Sequence, residues 1–214
     1  MQIDPAKLDI TERYKLQIGA IVPRPIAWVS TKSEAGVSNL APFSFFSGIA
    51  SEPYSLLFCP SNKPDGSEKD TLANASATGE FVVNIVTEAQ ALQMSATAEN
   101  LPDGESEFDF AGLIEAPSVV VKPPKVAGAP VSFECRTREI VRLAPGMPNG
   151  GNVVIGEIVQ VHVDDAIIDD RYRIDPAKLA AVGRMAGLTY CPTRQRVDIP
   201  FGAKALDAPA PSFT

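Results

Sequence analysis

Histidine occurs once in this sequence, at position 162, and cysteine three times, at 59, 135 and 191. An odd, widely spaced cysteine set argues against a disulfide framework, and one histidine leaves too few ligands for a zinc site. The same shortage disfavours a hydrolytic triad: its base would have to be His162, and no Gly-x-Ser-x-Gly elbow accompanies it. Neither a Walker loop nor a Gly-x-Gly-x-x-Gly fingerprint is present, so any nicotinamide would be bound without a Rossmann fold. A clustered carboxylate pair of the glycosidase kind is also missing. Basic residues are scarce: 19 Lys and Arg against 26 Asp and Glu give a net charge of −7, the wrong sign for a nucleic-acid surface. No apolar stretch approaches the roughly 18 to 20 residues of a membrane span. The opening MQIDPAKLDITERYK carries acids and no apolar core, so no signal peptide is expected. These absences point to a reduced, cytoplasmic protein that meets neither nucleic acid nor membrane.

What is present suits one globular domain: 214 residues, 45% hydrophobic and 21% charged. Nineteen prolines and fifteen glycines cut the chain into short segments, which favours strands and turns over long helices. Ile26 to Thr31 reads as a strand, followed by apolar runs at Leu40–Ile49 and Tyr54–Cys59. Asp70 is placed to cap a short helix from Thr71 to about Thr78 that Gly79 ends, and Phe81–Val86 reads as a buried strand. Glu88 to Asn100 has the composition of a second helix, and 101–130 reads as Pro-rich connection.

The clearest signal is a long antiparallel hairpin. Val131, Phe133, Cys135, Thr137, Val141 and Leu143 alternate with Ser132, Glu134, Arg136, Arg138 and Arg142. After the turn PGMPNGG, Val153, Ile155, Val159, Val161 and Val163 again fall on one expected face. A turn centred on Met147–Pro148 would set Glu139 opposite Glu157 and His162 opposite Glu134. Two like charges so placed require a bulge, a wet face or a bound cation. With few helical signals, a mainly β barrel with peripheral short helices fits best.

The stretch RPIAWVSTKSEAGVSNLAPFSFF, residues 24–46, sets Trp28, Phe43, Phe45 and Phe46 beside Ser30, Thr31, Asn39 and Ser44 in a chain of only 7% aromatics. Rings with hydroxyls and amides suit a flat ligand with a polar edge, and FMN is such a ligand. Two core strands with capped ends would give the same composition. Lys69, Asp70 and Thr71 offer an ammonium, a hydroxyl and a helix start to a phosphate, unless the Asp70 carboxylate already occupies those amides.

Six segments together resemble the flavin reductase-like family of FMN-binding split barrels, which includes reductase components of two-component monooxygenases and flavoredoxin-type carriers. They are RPIAWVST (24–31), NLAPFSFF (39–46), KDTLAN (69–74), TGEFVVNIV (78–86), GNVVIGEIVQVH (151–162) and GRMAGLTY (183–190). The resemblance covers roughly residues 20–190 of a single 1–214 domain, leaving 191–214 as a tail. It implies a Greek-key six-stranded antiparallel split β-barrel, a homodimer with FMN near the subunit interface, and NADH or NADPH as hydride donor. Ser30, Thr31, Ser44, Phe45, Phe46 and Ser47 would meet the ring and ribityl chain, with Asn39 and Ala41 on the same segment. Lys69, Asp70 and Thr71 would meet the phosphate. His162, Arg184 and Tyr190 would form the nicotinamide-side wall. The implied activity is NAD(P)H:flavin oxidoreduction, delivering reduced flavin to a monooxygenase or another acceptor. The alternative is a carrier that holds FMN permanently and oxidises no NAD(P)H itself. Ser47 stands where many relatives carry Asn, and Tyr54 where a second proline is usual, so the loop beside the flavin departs from the family pattern.

Overall fold

The computed structural model describes residues 1–102 and 104–212; Phe213 and Thr214, the end of the expected tail, lie outside the described residues. A capped helix α1 (Ile10–Ala20) leads into β1 (Ala27–Lys32), β2 (Ser38–Phe43), β3 (Phe46–Ser51) and β4 (Tyr54–Phe58). Then come α2 (Asp70–Thr78), β5 (Glu80–Ile85), α3 (Ala91–Ala96), α4 (Glu107–Phe110) and a two-residue pair, β6 (Glu115–Ala116) with β7 (Lys125–Val126). The long hairpin β8 (Val131–Arg142) and β9 (Asn152–Val163) precedes α5 (Pro176–Leu179), β10 (Val182–Arg184) and β11 (Tyr190–Pro192).

The main sheet has the order β2-β1-β5-β8-β9-β4-β3, every pairing antiparallel. Its two edge strands are consecutive in the chain, with only Ser44 and Phe45 between them. Three Cα–Cα steps span at most about 11 Å, so the sheet must curl until its edges meet. The barrel is closed by the chain itself and by the Cys59 amide donating to the Phe45 carbonyl. The sequence run Leu40–Ile49 is thus one bent strand broken at the split. The main sheet has seven strand segments where six strands were expected.

Ala27, Val29, Phe43, Leu56, Phe58, Phe81, Val83, Cys135 and Val154 fill the barrel, and Leu72 and Ala75 of α2 join the same core. Gly156 faces it, where a Cβ would fall 2.3 Å from the Phe81 ring. A second core lies outside the barrel, where Ile26, Trp28, Leu40 and Val86 meet Met94 of α3, Phe108 of α4, Val126 and Val182. Trp28 is fully buried there and its indole N–H donates to the Thr97 hydroxyl at 2.8 Å, so its ring belongs to packing and lines no ligand wall.

The hairpin corrects three expectations. Two bulges interrupt it, one passing over Val159 in β9 and one passing over Arg138 in β8. Each reverses which parity faces inward. Hence Phe133 and Cys135 face the core but so does Ile140, while Val154 and Ile158 replace Val153 and Ile155. Val141, Val153 and Ile155 are turned outward. Glu139 lies opposite Ile155 and Glu157 opposite Arg136, so the like charges never meet; Glu157 pairs with Arg138 at 2.8 Å. His162 lies opposite Ser132 rather than Glu134, yet its Nε2 reaches Glu134 diagonally at 2.5 Å.

Glu134 has no exposure, and its carboxylate accepts from the Val119, Val120 and Val121 amides at 2.6–2.9 Å as well as from His162. Burial pushes this carboxyl up, but the three amides and His162 together outweigh it and hold it below the usual range. A depressed carboxyl stabilises the fold above its unfolded pKa and loses that contribution as pH falls through the folded value. Glu134→Gln is expected to cost about 2 to 4 kcal/mol, read as a lower Tm at neutral pH, because a side-chain NH2 would then face backbone donors. The wild-type advantage over the variant should shrink below the ordinary glutamate range; a pH-independent difference would remove the ionised carboxylate from this account. Gly156→Ala is expected to cost about 1 to 3 kcal/mol in chemical denaturation through overpacking against Phe81.

Candidate functional site

β2 and the start of α2 border a cavity of about 330 Å³. Asn39, Ala41, Pro42 and Phe43 form one wall, Lys69, Asp70 and Thr71 a second, and the 97–101 segment with Glu107 a third. Lys63, Pro64 and Asp65 line it as well. The helix start differs from expectation by one residue. Lys69, not Asp70, occupies the N-cap, and it makes no side-chain capping bond. Asp70 is the first helical residue and its carboxylate pairs with Lys63 at 2.9 Å. The Asp70 side chain therefore does not cap the helix start, where the macrodipole favours negative charge.

A chain of amides sets the hydroxyl protons. Asn39 Nδ2 donates to Thr31 Oγ1 at 3.1 Å and to Thr71 Oγ1 at 2.9 Å, and Asn74 Nδ2 also donates to Thr31 at 3.1 Å. Thr71 accepts from Asn39, so its own proton is available to an acceptor in the cavity. Burial pulls the Lys69 ammonium below its ordinary pKa, the Lys63 charge adds to this, and Asp70 opposes. An anion bound beside Lys69 would relieve that cost. On the third wall, Glu107 is 7% exposed and accepts the Leu40 amide at 2.9 Å. Burial holds its carboxyl above the usual range, with the Leu40 bond pulling the other way.

The residues expected on the flavin and its phosphate fall into three places. Thr31, Asn39, Ala41, Lys69, Asp70 and Thr71 converge on this cavity or its hydrogen-bond network. Ser44, Phe45, Phe46 and Ser47 continue from its Phe43 wall: Ser44, Phe45 and Phe46 are half-buried, Ser47 exposed with its hydroxyl donating to the Gly48 carbonyl. Ser30 is turned away; it is fully buried and donates to the Pro124 carbonyl on the outer core side.

Arg24, absent from the residues expected at the site, fixes the split segment. It is buried, and its guanidinium donates to the Ile18, Ile21 and Met185 carbonyls and to Ser44 Oγ at 3.2 Å, while lying 5.8 Å from the Phe45 ring centre. Backbone bonds in both directions join Arg24 to Arg184. Arg184 in turn stacks on Tyr190 and donates to its hydroxyl and to the Gly187 carbonyl. Arg184 and Tyr190 thus sit together beside the segment that Arg24 orders. His162 does not join them; it bridges Glu134 and Lys125 Nζ, the latter at 3.1 Å from Nδ1. Among the described residues, no group of three or more His, Cys, Asp or Glu side chains could hold a metal ion. No helix among them is long and apolar enough to cross a membrane.

Residues 19–193 match the family described as "Flavin reductase like domain". An uncharacterized protein of Halalkalibacterium halodurans is 40% identical over 191 residues, covering 89% of this chain and 91% of its own. The crystal structure of nitrilotriacetate monooxygenase component B from Bacillus cereus superposes with a TM-score of 0.88 at 32% identity, over 93% of this chain and 98% of that one. The 2-nitrobenzoate 2-nitroreductase of Pseudomonas fluorescens gives 0.85 at 28% identity, over 95% and 97%. With the match spanning the barrel and the cavity alike, the chain belongs to the flavin reductase-like domain family.

Proposed function

We propose that this protein is an NAD(P)H:flavin oxidoreductase that uses FMN and passes reduced flavin to a monooxygenase or another acceptor protein in the cytoplasm. The observation that carries the reading is the side-chain-uncapped start of α2, where Lys69 and the Thr71 hydroxyl border a cavity whose Phe43 wall directly precedes Ser44–Ser47 in the chain. That donor set fits a phosphate monoester, and the Ala41, Pro42 and Phe43 wall fits an apolar ring system beside it. The monooxygenase component B named above supports an oxygenase as acceptor. When bound, FMN supplies a ring able to take a hydride from a dihydronicotinamide.

In this reading the chain's own groups bind and orient. Lys69 and Thr71 hold the phosphate, and Asn39, locked between Thr31 and Thr71, fixes the hydroxyl that donates to it. Arg24 holds Ser44 and Phe45 in place for the ring. Arg184 and Tyr190 form the nicotinamide-side wall, and His162 serves instead to hold the 119–121 segment through Glu134. No side chain need act as an obligatory base, because hydride delivery to a bound ring depends on near-attack placement.

A homodimer completes the proposal. β9 is apolar on both faces: Val154 and Ile158 enter the core, while Val153 and Ile155 face outward beside Leu57 and Val141. A strand with two apolar faces is expected to be covered on both.

Lys69→Ala is expected to weaken FMN about 10- to 100-fold while leaving riboflavin, which lacks the phosphate, within twofold in fluorescence titrations. Equal effects on the two would remove Lys69 from the phosphate. Anaerobic mixing with NADH or NADPH should bleach the visible flavin band rapidly; reduction only through a partner protein would make this a carrier. Ile155→Lys should convert dimer to monomer in sedimentation with the circular dichroism spectrum retained, and a persistent dimer would place the interface elsewhere.

A further inference from the structure

The third wall of the cavity holds a group that flavin phosphate recognition leaves unused. Glu107 begins the four-residue helix α4, and its side chain is directed back onto the free edge of β2. One carboxylate oxygen, Oε2, satisfies the Leu40 amide, an edge donor between the cavity residues Asn39 and Ala41. The Glu107 backbone amide also acts on this carboxyl. The residue is 7% exposed and lines the cavity, and a carboxylate has accepting capacity beyond these two amides.

A buried carboxylate accepts hydrogen bonds and repels anions, so it cannot itself be a phosphate ligand. The same cavity is lined by Lys63, Lys69, Asp65, Asp70 and Glu99, with Asp70 among the groups acting on Glu107. A ligand whose anion rests at Lys69 and Thr71 must therefore offer Glu107 a neutral donor. Leu40 directly follows Asn39, whose amide meets Thr71, so Glu107 faces the part of the ligand adjoining the anion.

We propose that Glu107 is a specificity-determining residue of this cavity, its carboxylate accepting from the hydroxyl groups of the polyol chain that joins a flavin ring to its phosphate. The inference rests on the FMN reading and deepens it. It makes recognition a pair of opposed requirements: a donor-bearing chain at Glu107 and an acceptor-bearing anion at Lys69. A ligand with the ring alone satisfies neither, and a carboxylate left without a donor is held at the cost of its burial.

Fluorescence titration of FMN, riboflavin and lumiflavin, which carries a methyl group in place of the polyol, separates the possibilities. Glu107→Leu should weaken FMN and riboflavin about tenfold or more and change lumiflavin less than twofold. Glu107→Gln keeps a carbonyl for the Leu40 amide, and should restore most of the stability while still favouring lumiflavin relative to the two polyol flavins by a few-fold. An equal loss for all three flavins in both variants would make Glu107 a wall of the pocket only and overturn the proposal, as would no loss at all. Failure of the wild-type protein to bind any of the three would sink the FMN reading itself, a result distinct from uniform weakening in the variants.

Discussion

The sheet of this protein ends where it begins, and the gap between its edges is the constraint on which the rest depends. β2 and β3 are the two edge strands, joined by Ser44 and Phe45, so the barrel closes through covalent chain rather than a continuous ladder. Edge strands leave backbone donors without partners. On β2 the Glu107 carboxylate takes the Leu40 amide and Pro42 has no N–H to satisfy; across the split, the Cys59 amide donates to the Phe45 carbonyl. The cavity lies along the same edge. A closed barrel would have no such groove.

Buried polar groups hold this open geometry in place. Asn84, inside the sheet, donates to the Trp28 carbonyl and accepts from the Val126 amide and the Ser132 hydroxyl, fastening the outer connection to β1 and β8. Glu134 draws three successive amides of the 119–121 segment onto β8. Arg24 gathers α1, the split segment and the 183–190 hairpin around one guanidinium. Each group is individually costly to bury, so a single missing partner would destabilise the local arrangement more than loss of a surface ion pair. The split segment is thereby ordered from outside the barrel, while α2 carries Lys69 and Thr71 at its start.

Much of the architecture was legible in residue order. Alternation over twelve residues marks β8 and β9, and Gly79 marks the end of α2 by its left-handed conformation. The bulges were not legible, because one extra residue changes parity without changing composition; Val153 and Ile155 look as fit for a core as Val154 and Ile158. Asp70 looks like a cap, and only the three-dimensional reach of Lys63 draws its carboxylate away. Trp28 and Ser30 carry the right chemistry for a ligand but the wrong parity for the cavity. Glu107 lay hidden in a Pro-rich connection, on a helix too short to show periodicity, and its partner is 67 residues away. Arg24 left a faint trace, a lone basic residue between two prolines ahead of a buried strand.

The central claim is that the split edge and the start of α2 together make a seat for a phosphorylated flavin. A crystal structure of the protein grown with FMN tests it most directly. The account predicts the phosphate within hydrogen-bond distance of Lys69 Nζ and the Thr71 hydroxyl, with the ring lying along residues 44–47. FMN bound elsewhere, or an empty cavity at saturating FMN with the Lys69 ammonium turned onto a protein carboxylate, would contradict it.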